Sequence, residues 1–128
     1  MSVSILVVDD ETDVAELFRQ HFRHETREGT YVMHFAYSGE EALEKLRGGI
    51  EPQLIVILSI NMPGMDGLAL LREIKNRRPD LPVMMVTDYG DDARRRLAGE
   101  YGAIEFITKP VDFDLLKEQL RHLPSAAG

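Results

Sequence analysis

Five short apolar runs, each separated from the next by a stretch of helical periodicity, constrain this chain more than any other feature. The first is Ser4 to Val8, a continuous run rich in branched residues that suits a strand covered on both faces. The second is 30–37, "TYVMHFAY", which partly alternates. "LIVIL" (54–58) is the most apolar and is expected at the centre of a sheet. "VMMVT" (83–87) and "AIEFIT" (103–108) complete the set. Between them, Val14, Leu17, Phe18 and Phe22 recur at helical spacing, as do Ala42, Leu43 and Leu46, then Leu68, Leu71 and Ile74. Asp91 to Leu97 reads as a short helix with little apolar surface, and Leu115, Leu116, Leu120 and Leu123 mark a last helix that Pro124 ends. Strand-helix alternation of this kind implies an α/β fold, a doubly wound parallel sheet with helices on both faces.

Local signals punctuate the pattern. Ser38 with Glu41 is a capping box that starts a helix, and Gly48–Gly49 stops it. Pro79 and Pro82 bracket a turn. Pro63–Gly64 sets a tight turn, and Asp66 is placed as the N-cap of the helix that begins at Gly67. One domain is expected over 1–124, with a loose tail at 125–128. With 128 residues the chain buries a core without staples, and it has no cysteine.

The net charge of −7 repels nucleic-acid backbone and anionic lipid. The arginines at 77–78 and 94–96 read as solvated helix faces. No apolar run approaches the roughly 20 residues that span a bilayer. The N-terminus, without a basic flank, reads as a first strand rather than a signal peptide. A cytoplasmic protein with no direct nucleic-acid or membrane contact is expected.

Ligands of open parallel sheets bind beyond the carboxyl ends of the strands. The residues there are Asp9–Asp10, Ser59, Thr87 and Lys109. Adjacent carboxylates suit Mg²⁺, a hard cation usually shared with phosphate oxygens, although taken alone a solvated capping loop explains them better. The Lys109 ammonium suits a carboxylate or a transferring phosphoryl group, and a cis peptide before Pro110 would aim it inward. The Thr87 hydroxyl suits a phosphoryl oxygen. Each is ordinary alone; together they converge on one crevice. His21, His24, His34 and His122 form no metal set and read as surface or partly buried residues.

"ILVVDDE", "NMPGMDGLALL", "PVMMVT" and "FITKP" resemble, in order and spacing, the receiver domains of two-component response regulators of the chemotaxis-regulator-like kind. The resemblance runs from about Val3 to Leu123. It implies a flavodoxin-like five-stranded sheet of order 2-1-3-4-5. It also implies a phosphorelay role: a sensor histidine kinase passes a phosphoryl group to an aspartate at the end of the third strand. Asp9, Asp10 and the Asn61 carbonyl would hold Mg²⁺. Lys109 would pair with the phosphoryl oxygens, Thr87 would move to bond them, and the rotamer of Phe106 would follow. The face of the fourth helix, fifth strand and fifth helix would then change partners, either an effector protein or a fused output domain. Pro63, Gly64, Asp66, Gly67 and Pro110 would shape the loops. Self-association through the last helix is left open.

Two positions depart from the family. The acceptor aspartate belongs four residues before Pro63, and Ser59 stands there. A serine forms no acyl phosphate and is a poorer Mg²⁺ ligand. One aspartate inserted between Ser59 and Ile60, a residue prone to carry phosphate or its mimic, would restore the family order and keep the spacing to Thr87. So two alternatives stand: a phospho-switch with its acceptor at or immediately after Ser59, and a phosphorylation-independent pseudo-receiver. The second departure is Asp88, where the family has a small residue; it is expected to face solvent. An enzyme is disfavoured, because an aspartate-nucleophile phosphatase needs its two acids separated. A flavin carrier is disfavoured too, because the acidic first loop repels the flavin phosphate.

Overall fold

A computed structural model describes residues 3–60, 62–87 and 91–121. Five parallel strands form one sheet in the order β2-β1-β3-β4-β5, as expected. They are β1 (Val3–Val8), β2 (Tyr31–Ala36), β3 (Leu54–Ile57), β4 (Val83–Thr87) and β5 (Glu105–Thr108). The helices are α1 (Thr12–His21), α2 (Arg23–Arg27), α3 (Gly39–Arg47), α4 (Gly67–Arg77), α5 (Asp92–Glu100) and α6 (Phe113–Arg121).

Alternation along the strands sorts the apolar side chains into two cores. Leu6, Val8, Ile55, Ile57, Val83 and Met85 pack under α3, α4 and α5. Ile5, Val7, Val56, Leu58, Met84 and Val86 pack under α1 and α6, where Phe18, Phe22 and Leu116 meet them. Both faces of the central strands are therefore covered, which is why those runs are apolar at every position.

Ser38 caps α3 by accepting the Glu41 N–H at 3.0 Å. The return bond differs from the usual capping box: the Glu41 carboxylate accepts the N–H of Tyr37, at 2.7 Å. Gly49, at φ 108°, carries the left-handed turn beyond the helix. Asp66 caps α4 through the Ala69 N–H at 2.8 Å.

Three expectations needed revision. The first helical segment is two helices, broken at Phe22, so the described residues hold six helices rather than five. α5 runs to Glu100, beyond Leu97, although it does bury only Ala98. β5 begins at Glu105 rather than Ala103. Leu17 and Leu115 lie on the helices that their spacing marks, but are 46% and 47% exposed. Leu123 and Pro124 lie outside the described residues.

The break at Phe22 leaves backbone acceptors to satisfy, and a distant lysine does this. Lys117 of α6 donates to the His21 carbonyl at 2.7 Å. Its ammonium also lies 2.9 Å from Glu25 and over the Phe22 ring, 5.1 Å from the centroid. Burial alone would raise the Glu25 carboxyl, but the Lys117 hydrogen bond and charge bring it below its ordinary range. A depressed acid stabilises the fold above its unfolded pKa, and that contribution disappears as pH falls through the folded value. Lys117→Met keeps the stem and removes the charge. It is expected to cost about 2 kcal/mol at pH 7, because Glu25 stays behind half-buried. Urea unfolding at pH 7 and at pH 3.5 checks this, and the difference between the two proteins should shrink at the lower pH.

Candidate functional site at the carboxyl edge of the sheet

The register of the strands decides which residues share a level. Val8 pairs with Ile57, and Ile57 with Met85. Two residues further along each chain, Asp10, Ser59 and Thr87 come to one level across the three central strands. Thr87 pairs with Thr108, and the Thr87 carbonyl accepts the Lys109 N–H at 2.8 Å, so Lys109 follows at the next step. The four strand ends thus lie together at the carboxyl edge of the sheet.

Burial within the crevice is uneven. Asp9, Ser59 and Thr87 are 6%, 8% and 2% exposed, whereas Asp10 and Lys109 are exposed. The Asp9 carboxylate accepts the Glu11 N–H at 2.9 Å, which takes the place of a side-chain cap at the start of α1. The Asp9 carboxyl is pushed up to about 6, by burial first and by neighbouring Asp10, while the Glu11 N–H and the Lys109 charge oppose the rise. Asp9, Leu58, Lys109 and Phe113 line a mostly open cavity of about 550 Å³ on the α1 and α6 side. The Lys109–Pro110 peptide is cis, as anticipated.

The loop leading to α4 is held more tightly than its turn residues suggest. Gly67 donates its N–H to the Ile60 carbonyl at 2.7 Å. A Cβ on Gly67 would sit 2.5 Å from the Ser59 carbonyl oxygen and 2.9 Å from the Ile60 Cα. Only glycine permits this approach. Gly64 adopts φ 78°, completing the turn after Pro63. Glu40, missed by the sequence reading, accepts the Met65 N–H at 3.3 Å and ties this loop to the start of α3. No local pattern marks that bond, which joins residues 25 positions apart.

Phe106 is half-buried, with its ring near Gly99 and the Arg95 guanidinium 5.2 Å from the ring centroid. The arginines read as solvated have specific neighbours. Arg94 pairs with Asp91 at 3.4 Å, Arg77 with Glu73 at 3.5 Å, and Arg78 donates to the Leu46 carbonyl at 3.3 Å. His21 and His24 are exposed and His34 is half-buried. Asn61, Asp88 and His122 lie outside the described residues.

Two carboxylates at one strand end are a hard-oxygen donor pair that fits Mg²⁺. Burial raises the Asp9 carboxyl and so disfavours its ionised form; a divalent cation would favour that form. Among the described residues no three His, Cys, Asp or Glu side chains gather closely enough to hold a metal by themselves. Ser59 stands where a third carboxylate would complete such a group.

The model of the response regulator receiver domain matches residues 5–121, nearly the whole chain. The chain belongs to the response-regulator receiver family. Signalling in this family is phosphorylation-based, and nothing in the similarities favours the phosphorylation-independent alternative. The C4-dicarboxylate transport transcriptional regulatory protein DctD of Rhizobium meliloti is 40% identical over 118 residues, 92% of this chain and 24% of that protein. Response regulator MprA of Mycobacterium ulcerans is 35% identical over 96% of this chain and 50% of its own length. The receiver domain of NtrX from Brucella abortus superposes with a TM-score of 0.80 at 34% identity, covering 91% of this chain and 94% of that one. The chain therefore spans about a quarter to a half of these curated relatives. Among the described residues no helix is long and apolar enough to cross a membrane.

A receiver whose Asp9 titrates near 6 has a predictable pH response. The folded pKa lies above the ordinary 3.8, so the folded state holds the extra proton. Stability from this group is full below pH 3.8 and is lost as pH rises through about 6. Metal-free protein carrying Asp9→Asn is thus expected to be more stable than the parent at pH 7.5, by on the order of 1–2 kcal/mol, and equal to it near pH 4. Thermal melts in EDTA across this range check it. Added Mg²⁺ should raise the melting temperature of the parent and leave the variant nearly unchanged.

Proposed function

We propose that the chain is the receiver module of a phosphorelay. A sensor histidine kinase delivers a phosphoryl group to the third strand's end, to an aspartate at or immediately after Ser59. The observation that supports this best is the common level of Asp10, Ser59 and Thr87, with Lys109 one step beyond. Asp9 and Asp10, with the Asn61 carbonyl, are the residues that would hold Mg²⁺. When bound, the ion neutralises the carboxylates and the phosphoryl oxygens. Lys109 supplies a positive charge beside Asp9. The Thr87 hydroxyl, buried at the same level, donates to a phosphoryl oxygen and draws β4 toward it. Phe106, on the neighbouring strand, follows, and the face of α5, β5 and α6 exchanges partners: an effector protein or an output domain of a longer regulator. This is positioning and charge neutralisation, with no chemistry on an outside substrate. The module spans 1–124 and works in the cytoplasm.

One observation favours a second reading. A buried serine at 59 makes no acyl phosphate, so a chain with Ser59 alone is a constitutive interaction domain of the same fold. The intact mass, followed by the mass of the peptide covering residues 48–72, decides between them. A match to the 14.5 kDa sequence makes Ser59 the sole occupant and sinks the phospho-switch. An excess of one aspartate, with or without a phosphoryl adduct, places the acceptor directly after Ser59.

A further inference from the structure

The outer edge of the sheet, away from the phosphoryl crevice, carries a groove that neither the fold nor the switch explains. Arg19, Arg23 and Arg27 follow one another at intervals of four across the α1–α2 break. With Thr26 they wall a groove of about 450 Å³ floored by Met33 and Phe35. Both floor residues pack against the core yet remain partly exposed. They belong to β2, which is an edge strand.

Backbone pairing makes this edge receptive. Val3 pairs with Tyr31, and the Val3 N–H bonds to the Thr30 carbonyl. At the other end the Asp9 N–H bonds to the Ala36 carbonyl. In a parallel ladder this pattern turns Val32 and His34 toward β1 and leaves the N–H and C=O groups of Tyr31, Met33 and Phe35 facing outward. The outward backbone and the apolar floor therefore come from the same residues.

Charge selects the occupant. Arg19 lies over the Phe35 ring, 4.4 Å from its centroid, and contacts Glu16 at 3.6 Å. Arg23 and Arg27 make no ion pair or side-chain hydrogen bond among the described residues. The acids interleaved with them are engaged elsewhere: Glu25 with Lys117 at 2.9 Å and Glu28 with His24 at 2.6 Å. Three guanidinium groups thus line one groove of a chain whose net charge is −7. That overall charge opposes nucleic acid and anionic membranes, whose many phosphates meet the whole surface. A single acidic segment meets only the groove.

We propose that this groove docks an extended acidic segment of a partner protein. Its backbone adds to the free edge of β2, an apolar side chain rests on Met33 and Phe35, and its carboxylates meet Arg23 and Arg27. The test uses a short fluorescein-labelled peptide that alternates glutamate with phenylalanine, valine and threonine, titrated with the full chain. Saturable binding is expected, weakened about tenfold or more by the double variant Arg23→Glu/Arg27→Glu and by added salt. Both arginines are exposed, so the variant should melt at the parent temperature. Bound peptide should slow amide exchange at Met33 and Phe35. The proposal is overturned by absence of saturable binding, by equal binding to the double variant, or by equal binding of a peptide with lysine in place of glutamate. Unchanged exchange at β2 overturns it too, as does tighter binding of phosphatidylserine vesicles or duplex DNA than of the peptide. The arginines would then act only as guards against edge-to-edge aggregation.

Discussion

In a chain whose mass shows Ser59 alone, Ser59→Asp is expected to create a phosphoryl acceptor where that parent has none. Incubated with acetyl phosphate and Mg²⁺, the variant should gain a phosphoryl group over a large fraction of its molecules, and hydroxylamine should remove it, as befits an acyl phosphate. The parent should stay at background. The physical basis is the shared level of residues 10, 59 and 87 and the burial of Ser59 and Thr87. A carboxylate at 59 comes to the strand level of Asp10, next along the chain from the raised Asp9 carboxyl. Like charges at a partly buried site repel, so without metal the variant should lose on the order of 1–2 kcal/mol of stability above pH 6. Mg²⁺ should restore that loss, giving a readout independent of phosphorylation. Loss of stability that Mg²⁺ leaves untouched, with no labelling, would show that residue 59 does not share a site with Asp9 and Asp10.

Replacing Gly67, the first residue of α4, is expected to destabilise the fold strongly. A Cβ at this position meets the Ser59 carbonyl at 2.5 Å and the Ile60 Cα at 2.9 Å. Both are backbone atoms, so no side-chain rotation relieves the clash. Alanine in a helix gains about 1 kcal/mol over glycine, and the clash exceeds that gain. Gly67→Ala is expected to cost about 2 kcal/mol net and Gly67→Val about 4 kcal/mol. The control is Gly99→Ala in α5, whose Cβ would make an ordinary contact with the Phe106 ring at 3.6 Å. There the helix gain is unopposed, and stability should rise by about 0.5–1 kcal/mol. Urea titrations of the three variants check the order. A neutral Gly67→Ala would mean that the loop relaxes away from β3. Because this loop carries Ser59, the Gly67 variants should also depress any labelling that Ser59→Asp confers.

Much of the site was legible because the physics that makes it is local. Apolar runs at every position demand a strand covered twice, and alternation with helices demands a parallel sheet. A parallel sheet brings its strand ends to one edge, so Asp9, Ser59, Thr87 and Lys109 were grouped from their positions alone. Asp66 capped its helix as its place beside Gly67 foretold. The exposure of Leu17 and Leu115 was not legible, because helical spacing says that a face exists but not how wide the covering layer is.

What the sequence determined by itself was therefore the order of the strands along the chain, the sheet type and the family, since each follows from periodicity, capping or motifs within a few residues. Tertiary structure alone decided the rest. Lys117 reaches His21 across 96 positions, Glu40 reaches the Pro63–Gly64 turn, and the arginine groove exists only because α1 and α2 lie beside β2. The burial that lifts the Asp9 carboxyl to about 6 likewise arises from packing around it. Such contacts join residues that no local pattern links, and their energies depend on burial and distance, which exist only once the chain has closed on itself.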